Sequence, residues 1–271
     1  MEMNGKGEVH AFCLSSNGRV RPLNEDRCFV DEANRIFIVS DGIGGNQAGE
    51  VAAEAVVQLL PRMLIHWLDK VETLNIAEIE RNLKEIILKL SQQIQHESAM
   101  KWGFKGMGAT LVLAWIRDEW LYIAHLGDSR AYLLHGGKLE KLTDDHSVIA
   151  LLLKHGDISL VEAKNHPARG RLSRFVGMEG EVFPDVRTIA LQSGDRVLLC
   201  TDGVTGMLED NKIEAILTSA PQPETACQTL VKAANEAGGK DNITALVVDY
   251  VSFTLFDNQK DNSYRRTDAT E

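Results

Sequence analysis

Residues 108–142 have the sequence GATLVLAWIRDEWLYIAHLGDSRAYLLHGGKLEKL, and this stretch decides the fold class. Short runs of apolar and β-branched residues alternate with turn-forming pairs at Arg117-Asp118, Gly127-Asp128 and Gly136-Gly137. Runs of this length between turn signals are typical of consecutive strands joined by hairpins. The stretch therefore predicts an antiparallel β-meander.

Further strands and helices are predicted on both sides of the meander. Apolar residues recur at helical spacing over 51–68 and 79–94, which predicts two long helices with core-facing stripes. The other predicted elements are strands at 9–16, 27–31, 35–40, 186–191, 196–202 and 243–250, a helix plus a loop within 145–163, and helices at 210–218 and 223–237. Because strands and helices occur in separate runs, we predict one α+β domain over residues 8–250, followed by a frayed polar tail at 251–271.

Composition and charge exclude several functional classes. The 271 residues are 44% hydrophobic and 25% charged, which is typical of a soluble globular protein, and their net charge is −10. Such a field repels nucleic acid and anionic membranes. The longest apolar runs, 111–116 and 148–153, are shorter than the roughly 18–20 residues that span a bilayer, and no signal sequence is seen, so we expect a cytoplasmic protein.

The cysteines give no sign of a disulfide framework or a zinc site. Cys13, Cys28, Cys200 and Cys227 are scattered, without a C-x-x-C pair. In a cytoplasmic protein this spacing is typical of reduced thiols. All four are therefore expected to be free.

Aspartates recur where predicted strands begin or end, or beside glycine. They are Asp26, Asp41, Asp128, Asp202 and Asp241. A strand aims a carboxylate rigidly, and a neighbouring glycine allows backbone carbonyls to approach closely. Asp-Gly is also a common turn dipeptide, so any one of these residues alone is best explained structurally. Their recurrence favours a shared site.

Convergent carboxylates require either protonation or cations, because buried like charges cannot all remain ionised. Oxygen ligands suit Mg²⁺ or Mn²⁺. Two such ions about 3.5–4 Å apart can activate a water and orient a phosphate. The pattern therefore predicts hydrolysis of a phosphoester without a protein nucleophile.

Rival chemistries lack their motifs. The segment SDGIGGNQAG follows a strand and precedes a helix, but Gln47 stands where a dinucleotide-binding loop requires glycine. The chain has no G-K-[ST] phosphate loop, no G-x-S-x-G nucleophile elbow and no H-E-x-x-H zinc motif. The eight histidines are without ligand spacing and are expected to be surface or core residues.

Seven motifs in sequence resemble the metal-dependent serine/threonine protein phosphatases of type 2C in their compact bacterial form. The motifs are R-P-L-N-E-D (21–26), V-S-D-G-I-G-G (39–45), G-A-T (108–110), G-D-S-R (127–130), L-T-D-D-H-S (142–147), C-T-D-G (200–203) and G-K-D-N-I-T (239–244). Their order and spacing match over about residues 8–250. The resemblance implies a four-layer α/β/β/α sandwich, with two central antiparallel sheets flanked by helix pairs and a metal site at one end.

The resemblance also implies the metal ligands. Asp41 is expected to bridge two Mg²⁺ or Mn²⁺ ions, while the Gly42 carbonyl binds the first and Asp202 and Asp241 complete the second. Asp128, together with Asp202, corresponds to the position that holds a third ion in bacterial relatives.

Three further residues correspond to catalytic positions. Glu25 and Asp26 are expected to hold metal-bound waters, and Arg21 is expected to clamp the phosphate with its guanidinium. Eukaryotic members place a histidine two residues after the bridging aspartate, where this chain has Ile43, so the expected proton donor is a metal-bound water.

The segment 155–183 corresponds to the variable flap beside the site. Arg169, Arg171 and Arg174 in this segment could recruit phosphoprotein, or they could be a solvated basic stretch.

We predict a Mg²⁺- or Mn²⁺-dependent phosphatase of Ser/Thr phosphoproteins that acts by attack of a metal-bridging hydroxide. Its expected substrates are targets of a cognate Ser/Thr kinase, and it is expected to be a monomer that binds neither nucleic acid nor membrane. The alternatives are a phosphatase of small phosphate esters on the same scaffold, and an inactive phosphoprotein-binding module.

Overall fold

The computed structural model describes residues 7–44, 48–70, 75–100 and 106–252. Within these ranges the chain forms two five-stranded antiparallel sheets. The first sheet has the order β1-β12-β11-β8-β9, with β1 at Gly7–Ser16, β12 at Ile243–Ser252, β11 at Arg196–Cys200, β8 at Arg130–His135 and β9 at Lys138–Lys141. The second has the order β10-β7-β6-β3-β2, with β10 at Asp185–Ala190, β7 at Trp120–Leu126, β6 at Leu111–Arg117, β3 at Ile36–Ser40 and β2 at Arg27–Asp31.

Helices cover the outer face of each sheet. The long helices α1, Ala48–Leu68, and α2, Ile76–Met100, pack on the second sheet. Helices α6, Asp210–Ser219, and α7, Pro223–Glu236, pack on the first. The predicted four-layer α/β/β/α sandwich is confirmed.

Side-chain alternation along the strands explains the layers. In β3, Ile36 and Ile38 point to the helices, whereas Phe37 and Val39 point to the other sheet. Successive residues of a strand face opposite sides, so a strand between two cores is apolar at every position. All five residues of β3 are buried, and each large apolar side chain contributes about 1.5–3 kcal/mol by leaving water.

The sequence pattern did not predict several short elements. Two-residue strands at Gly42–Ile43 (β4) and Gly108–Ala109 (β5) pair with each other. The strand predicted at 196–202 ends at Cys200, and a one-turn helix, α5, covers Asp202–Thr205. The predicted helix within 145–163 is divided into α3, Val148–His155, and α4, Leu160–Ala163. Most of the predicted tail, residues 253–271, lies outside the described residues.

One cysteine prediction is wrong. Cys13 of β1 and Cys28 of β2 form a disulfide, with their Cα atoms 6.8 Å apart. The two strands belong to different sheets and pack against each other, so residues 15 positions apart meet in a way that cysteine spacing does not reveal. Cys200 and Cys227 are free and buried, as expected.

One described helix, α1, is long and apolar enough to cross a membrane when judged by length and composition alone. In the fold it is a core helix. Its buried residues include Ala52, Val56, Leu60 and Leu64, which lie in the cluster between the second sheet and the helices.

Candidate metal centre

Strand pairing brings the acidic residues to one end of the sandwich. Arg27, the first residue of β2, lies opposite Ser40, the last residue of β3, so the preceding Asp26 and the following Asp41 share that end. In the other sheet Cys200 at the end of β11 lies opposite Ala245 near the start of β12. The same register therefore places Asp202 and Asp241 together.

Asp26 lies at the bottom of this group, with only 2% of its surface exposed. Its Oδ2 accepts hydrogen bonds from Thr244 Oγ1 at 2.7 Å and Thr201 Oγ1 at 2.9 Å. Its Oδ1 is buried and has no hydrogen-bond partner among the described residues. Asp202 Oδ1 is likewise buried without a hydrogen-bond partner among the described residues. Buried carboxylate oxygens without partners are costly unless a cation approaches them.

Asp41 is held through its backbone by Thr110 of the G-A-T motif. The Asp41 amide donates to Thr110 Oγ1 at 2.9 Å, and the Thr110 amide donates to the Asp41 carbonyl at 2.8 Å. Thr110 Oγ1 is also 2.7 Å from Ser129 Oγ, next to Asp128. Two strand ends are therefore tied together by one threonine.

The carboxylates repel one another inside this pocket. Burial, followed by the charges of Asp26, Asp202, Asp128 and Asp241, raises the pKa of Asp41 well above its usual range. Burial is also the main cause that raises the pKa of Asp26 and of the half-buried Asp128 and Asp202. All five predicted aspartates therefore belong to one electrostatic cluster, and the four with raised pKa values lack enough neighbouring positive charge to favour their ionised form.

Arg21 supplies part of that charge. Its Nη2 donates to Asp241 Oδ2 at 2.8 Å, and the side chain is half exposed at the rim. The Asn242 amide donates to Asp241 Oδ1 at 2.8 Å, while the Glu25 amide donates to Asn242 Oδ1 at 2.9 Å. Arg21 and Glu25 thus flank the cluster, and in this structure the Arg21 guanidinium forms an ion pair with Asp241.

The backbone at Gly42 is packed too closely for any side chain. A Cβ there would lie 2.2 Å from the Gly49 carbonyl oxygen and 2.9 Å from that of Glu25. The Gly42 amide donates to the Glu25 carbonyl at 3.2 Å. Close backbone approach, oxygen donors and two unpartnered carboxylate oxygens fit Mg²⁺ or Mn²⁺. The next residue, Ile43, has no group that could donate a proton.

A second group of possible ligands lies beyond Asp128. His125, His146 and Asp185 each bring one ligand atom within 4.8 Å of the others. The two imidazoles stack with centroids 4.4 Å apart, and His146 Nε2 lies 3.1 Å from Asp185 Oδ2. The sequence pattern did not reveal this group, because the three residues belong to separate segments.

The sequence also left several hydroxyl groups without a role. Thr110, Ser129, Thr201 and Thr244 each stand within one to three residues of an aspartate of the cluster or bind one. Small hydroxyl residues at strand ends beside acidic residues are the signal that could have identified them.

Comparisons with known proteins agree on one family. The family model described as "Protein phosphatase 2C" matches residues 15–246. The serine/threonine phosphatase stp of Listeria monocytogenes is 39% identical over 244 residues, which are 89% of this chain and 96% of the relative. Protein phosphatase PhpP of Streptococcus pneumoniae is 37% identical over 239 residues, covering 87% and 95%. The catalytic domain of the phosphatase PstP, solved with two manganese ions, superposes with a TM-score of 0.77 at 30% identity, covering 91% of this chain and all of that one.

Proposed function

This chain belongs to the protein phosphatase 2C family and is a serine/threonine protein phosphatase, and we propose that it works with two Mg²⁺ or Mn²⁺ ions held by Asp41, Gly42, Asp202 and Asp241. The observation that carries this proposal is the convergence of the carboxylates on one pocket, where Oδ1 of Asp26 and Oδ1 of Asp202 are buried without partners among the described residues. Burial there, followed by the charges of the neighbouring carboxylates, raises the pKa of Asp41 well above its usual range. Divalent ions would remove the repulsion and ionise the ligands at the same time. Such a pair of ions supplies an acidified water and neutralises charge that develops on the phosphate.

The other residues of the site have distinct parts in the proposal. Arg21 leaves Asp241 to bind the phosphate oxygens, because a guanidinium matches two oxygens of a phosphate as well as those of a carboxylate. Asp26, fixed by Thr201 and Thr244, orients water through its unpartnered Oδ1. Glu25 acts from the rim, and Asp128 with Asp202 holds a third ion.

We assign the substrates and location in the same proposal. The substrates are proteins phosphorylated on Ser or Thr, in line with the names of the Listeria and Streptococcus relatives. A cognate Ser/Thr kinase phosphorylates them. The enzyme acts as a monomer in the cytoplasm. Residues 8–250 form its catalytic domain.

The test combines metal removal with two substrates. Activity on a phosphothreonine peptide and on p-nitrophenyl phosphate is measured in EDTA and after addition of Mn²⁺, and Mn²⁺ binding is measured by calorimetry. We expect hydrolysis only with the metal, and a higher kcat/KM for the peptide. Asp69→Asn, at an exposed position outside the flap, is the matched control for Asp41→Asn. Metal-independent hydrolysis would contradict the proposal, and a preference for the small ester would favour the alternative substrate class.

A further inference from the structure

The motifs G-D-S-R (127–130) and L-T-D-D-H-S (142–147) are joined by hydrogen bonds beside the metal centre. The His146 amide donates to the Gly127 carbonyl at 2.9 Å, and the Gly127 amide donates back to His146 Nδ1 at 3.3 Å. Asp145 accepts two hydrogen bonds from Arg130, at 2.8 and 2.7 Å. Both ends of the four-residue turn that carries Asp128 are therefore held by the second motif.

Gly127 sets where Asp128 stands. Its φ is +105°, and a Cβ there would lie 2.6 Å from Thr110 Cγ2, so this backbone conformation requires glycine. A glycine has no side chain to anchor it, and its position depends on the hydrogen bonds of its amide and carbonyl. Among the described residues His146 accepts one of these bonds and donates the other.

The opposite side of His146 contacts the flap, residues 155–183, and the strand that follows it. His146 Nε2 lies 3.1 Å from Asp185 Oδ2, and Arg174 of the flap donates to both oxygens of Asp185 at 3.0 and 3.2 Å. The Ser173 amide donates to the His146 carbonyl at 2.9 Å. One residue therefore touches both the Asp128 turn and the anchor of the flap.

The hydrogen bonds define the form of the imidazole. Nδ1 accepts from Gly127, so Nε2 carries the proton and donates to Asp185. Burial and the stacked His125 lower the pKa of His146 to about 4, against the opposing effect of Asp185. Both nitrogens of the neutral His146 ring are hydrogen-bonded, so neither has a free lone pair for a metal ion. The third possible ligand, Asp185, is already ion-paired with Arg174. His125 Nε2 is likewise engaged, 2.8 Å from the Asp144 carbonyl.

We propose that His146 is a positioning residue that couples the flap to Asp128: it sets the Asp128 turn through Nδ1 and the flap anchor through Nε2. The inference rests on the proposed function, because it assumes that Asp128 helps to hold a third ion and that the flap contacts the substrate. Movement of the flap on a bound phosphoprotein would reach Asp128 through this ring, and the ion at Asp128 would in turn favour one flap position.

The two nitrogens can be tested separately by isosteric amides. His146→Asn places an amide oxygen near the Nδ1 position and removes the contact with Asp185. His146→Gln places an amide N–H near the Nε2 position and removes the acceptor for Gly127. We measure Mn²⁺ binding by calorimetry, and kcat and KM with a phosphothreonine peptide and with p-nitrophenyl phosphate, in the full chain.

We expect the two variants to separate. His146→Gln should weaken Mn²⁺ binding at the weakest site about 10-fold, the size of effect typical of residues that orient metal ligands. His146→Asn should bind Mn²⁺ nearly as the wild type does, but should raise KM for the peptide about 10-fold. The rise for p-nitrophenyl phosphate should be much smaller, because this ester has no peptide chain to contact the flap.

Two variants at the surface of the flap test the same coupling in case substitutions at His146 impair folding. Arg174→Gln, with a third of its side chain exposed, releases Asp185 without entering the core and should reproduce the rise in peptide KM. Arg171→Gln removes an equal charge from the flap, and the structure gives its side chain no contact with Asp185. Equal effects of Arg171→Gln and Arg174→Gln, or identical behaviour of the two His146 variants in a folded protein, would overturn the coupling. Loss of Mn²⁺-dependent activity in the wild type would instead overturn the proposed function.

Discussion

Asp26→Asn provides a quantitative test of what it costs to ionise a buried carboxylate inside this cluster. Asparagine keeps an oxygen that can accept from Thr201 and Thr244, and places an NH₂ group where the unpartnered Oδ1 lies. The substitution therefore removes the charge of the side chain and preserves its hydrogen bonds. We expect it to stabilise the metal-free protein at pH values where Asp26 of the unfolded chain is ionised.

The pKa of Asp26 gives the magnitude and the sign of the pH dependence of stability. Burial, with the charges of Asp202 and Asp241, raises this pKa from 3.8 to about 7 despite the two threonine hydrogen bonds. Between these values the folded state keeps a proton that the unfolded state has lost, so the stability of the metal-free protein falls as pH rises. At 1.36 kcal/mol per unit, the interval from pH 5 to pH 7 costs about 3 kcal/mol, and the penalty is complete above pH 7.

Urea unfolding in EDTA at pH 5 and pH 8 measures this difference. The free energy of unfolding of Asp26→Asn should exceed that of the wild type by about 3 kcal/mol more at pH 8 than at pH 5. Asp157→Asn, at an exposed position, should show no such change and serves as the control. Saturating Mn²⁺ at pH 8 should reverse the order, because cations stabilise the ionised wild-type cluster. A gap that is the same at both pH values would show that Asp26 is not held protonated by its buried surroundings, and would refute the argument.

Three further predictions concern the ligands, the phosphate clamp and the disulfide. Asp41→Asn and Asp202→Asn should each lower turnover to the level seen in EDTA while circular dichroism shows an intact fold; wild-type activity in either would contradict the ligand assignment. Arg21→Ala should raise KM for phosphopeptide about 10-fold with little change in kcat, because a charge-assisted bond is worth about 1.5–3 kcal/mol, and a fall in kcat alone would refute the clamp. The Cys13–Cys28 bond closes a loop of 15 residues, so oxidation should add about 3 kcal/mol to stability in urea unfolding with and without dithiothreitol. The double variant Cys13→Ser, Cys28→Ser should show no effect of dithiothreitol, and an equal effect there would contradict the role of the bond.

The disulfide also bears on the environment of the enzyme. Thiols are kept reduced in most cytoplasmic compartments. In such a compartment the fold relies on its hydrophobic cores, and the bond adds its stability only under oxidising conditions.

The sequence pattern by itself determined most of the strands and helices and the identities of the acidic residues. Short apolar runs between turn residues mark the strands, and a period of 3.6 marks α1 and α2; both are local features of the chain, so a linear pattern reports them. Asp41 and Asp202 were found for the same reason, because a residue at the end of a strand is marked by its own neighbours. The seven motifs identified the family, and the resemblance to that family implied the four layers.

Tertiary structure alone decided the contacts between segments that are distant along the chain. The meeting of Cys13 with Cys28 depends on two sheets stacking, and no spacing rule encodes it. The hydroxyls of Thr201 and Thr244 converge on Asp26 from the other sheet, and His146 reaches both Gly127 and Asp185 only after residues 155–183 have folded back. Hydrogen bonds and ion pairs act over a few ångströms in space, whatever the separation in sequence, so the partners of each group are fixed only when the chain has packed.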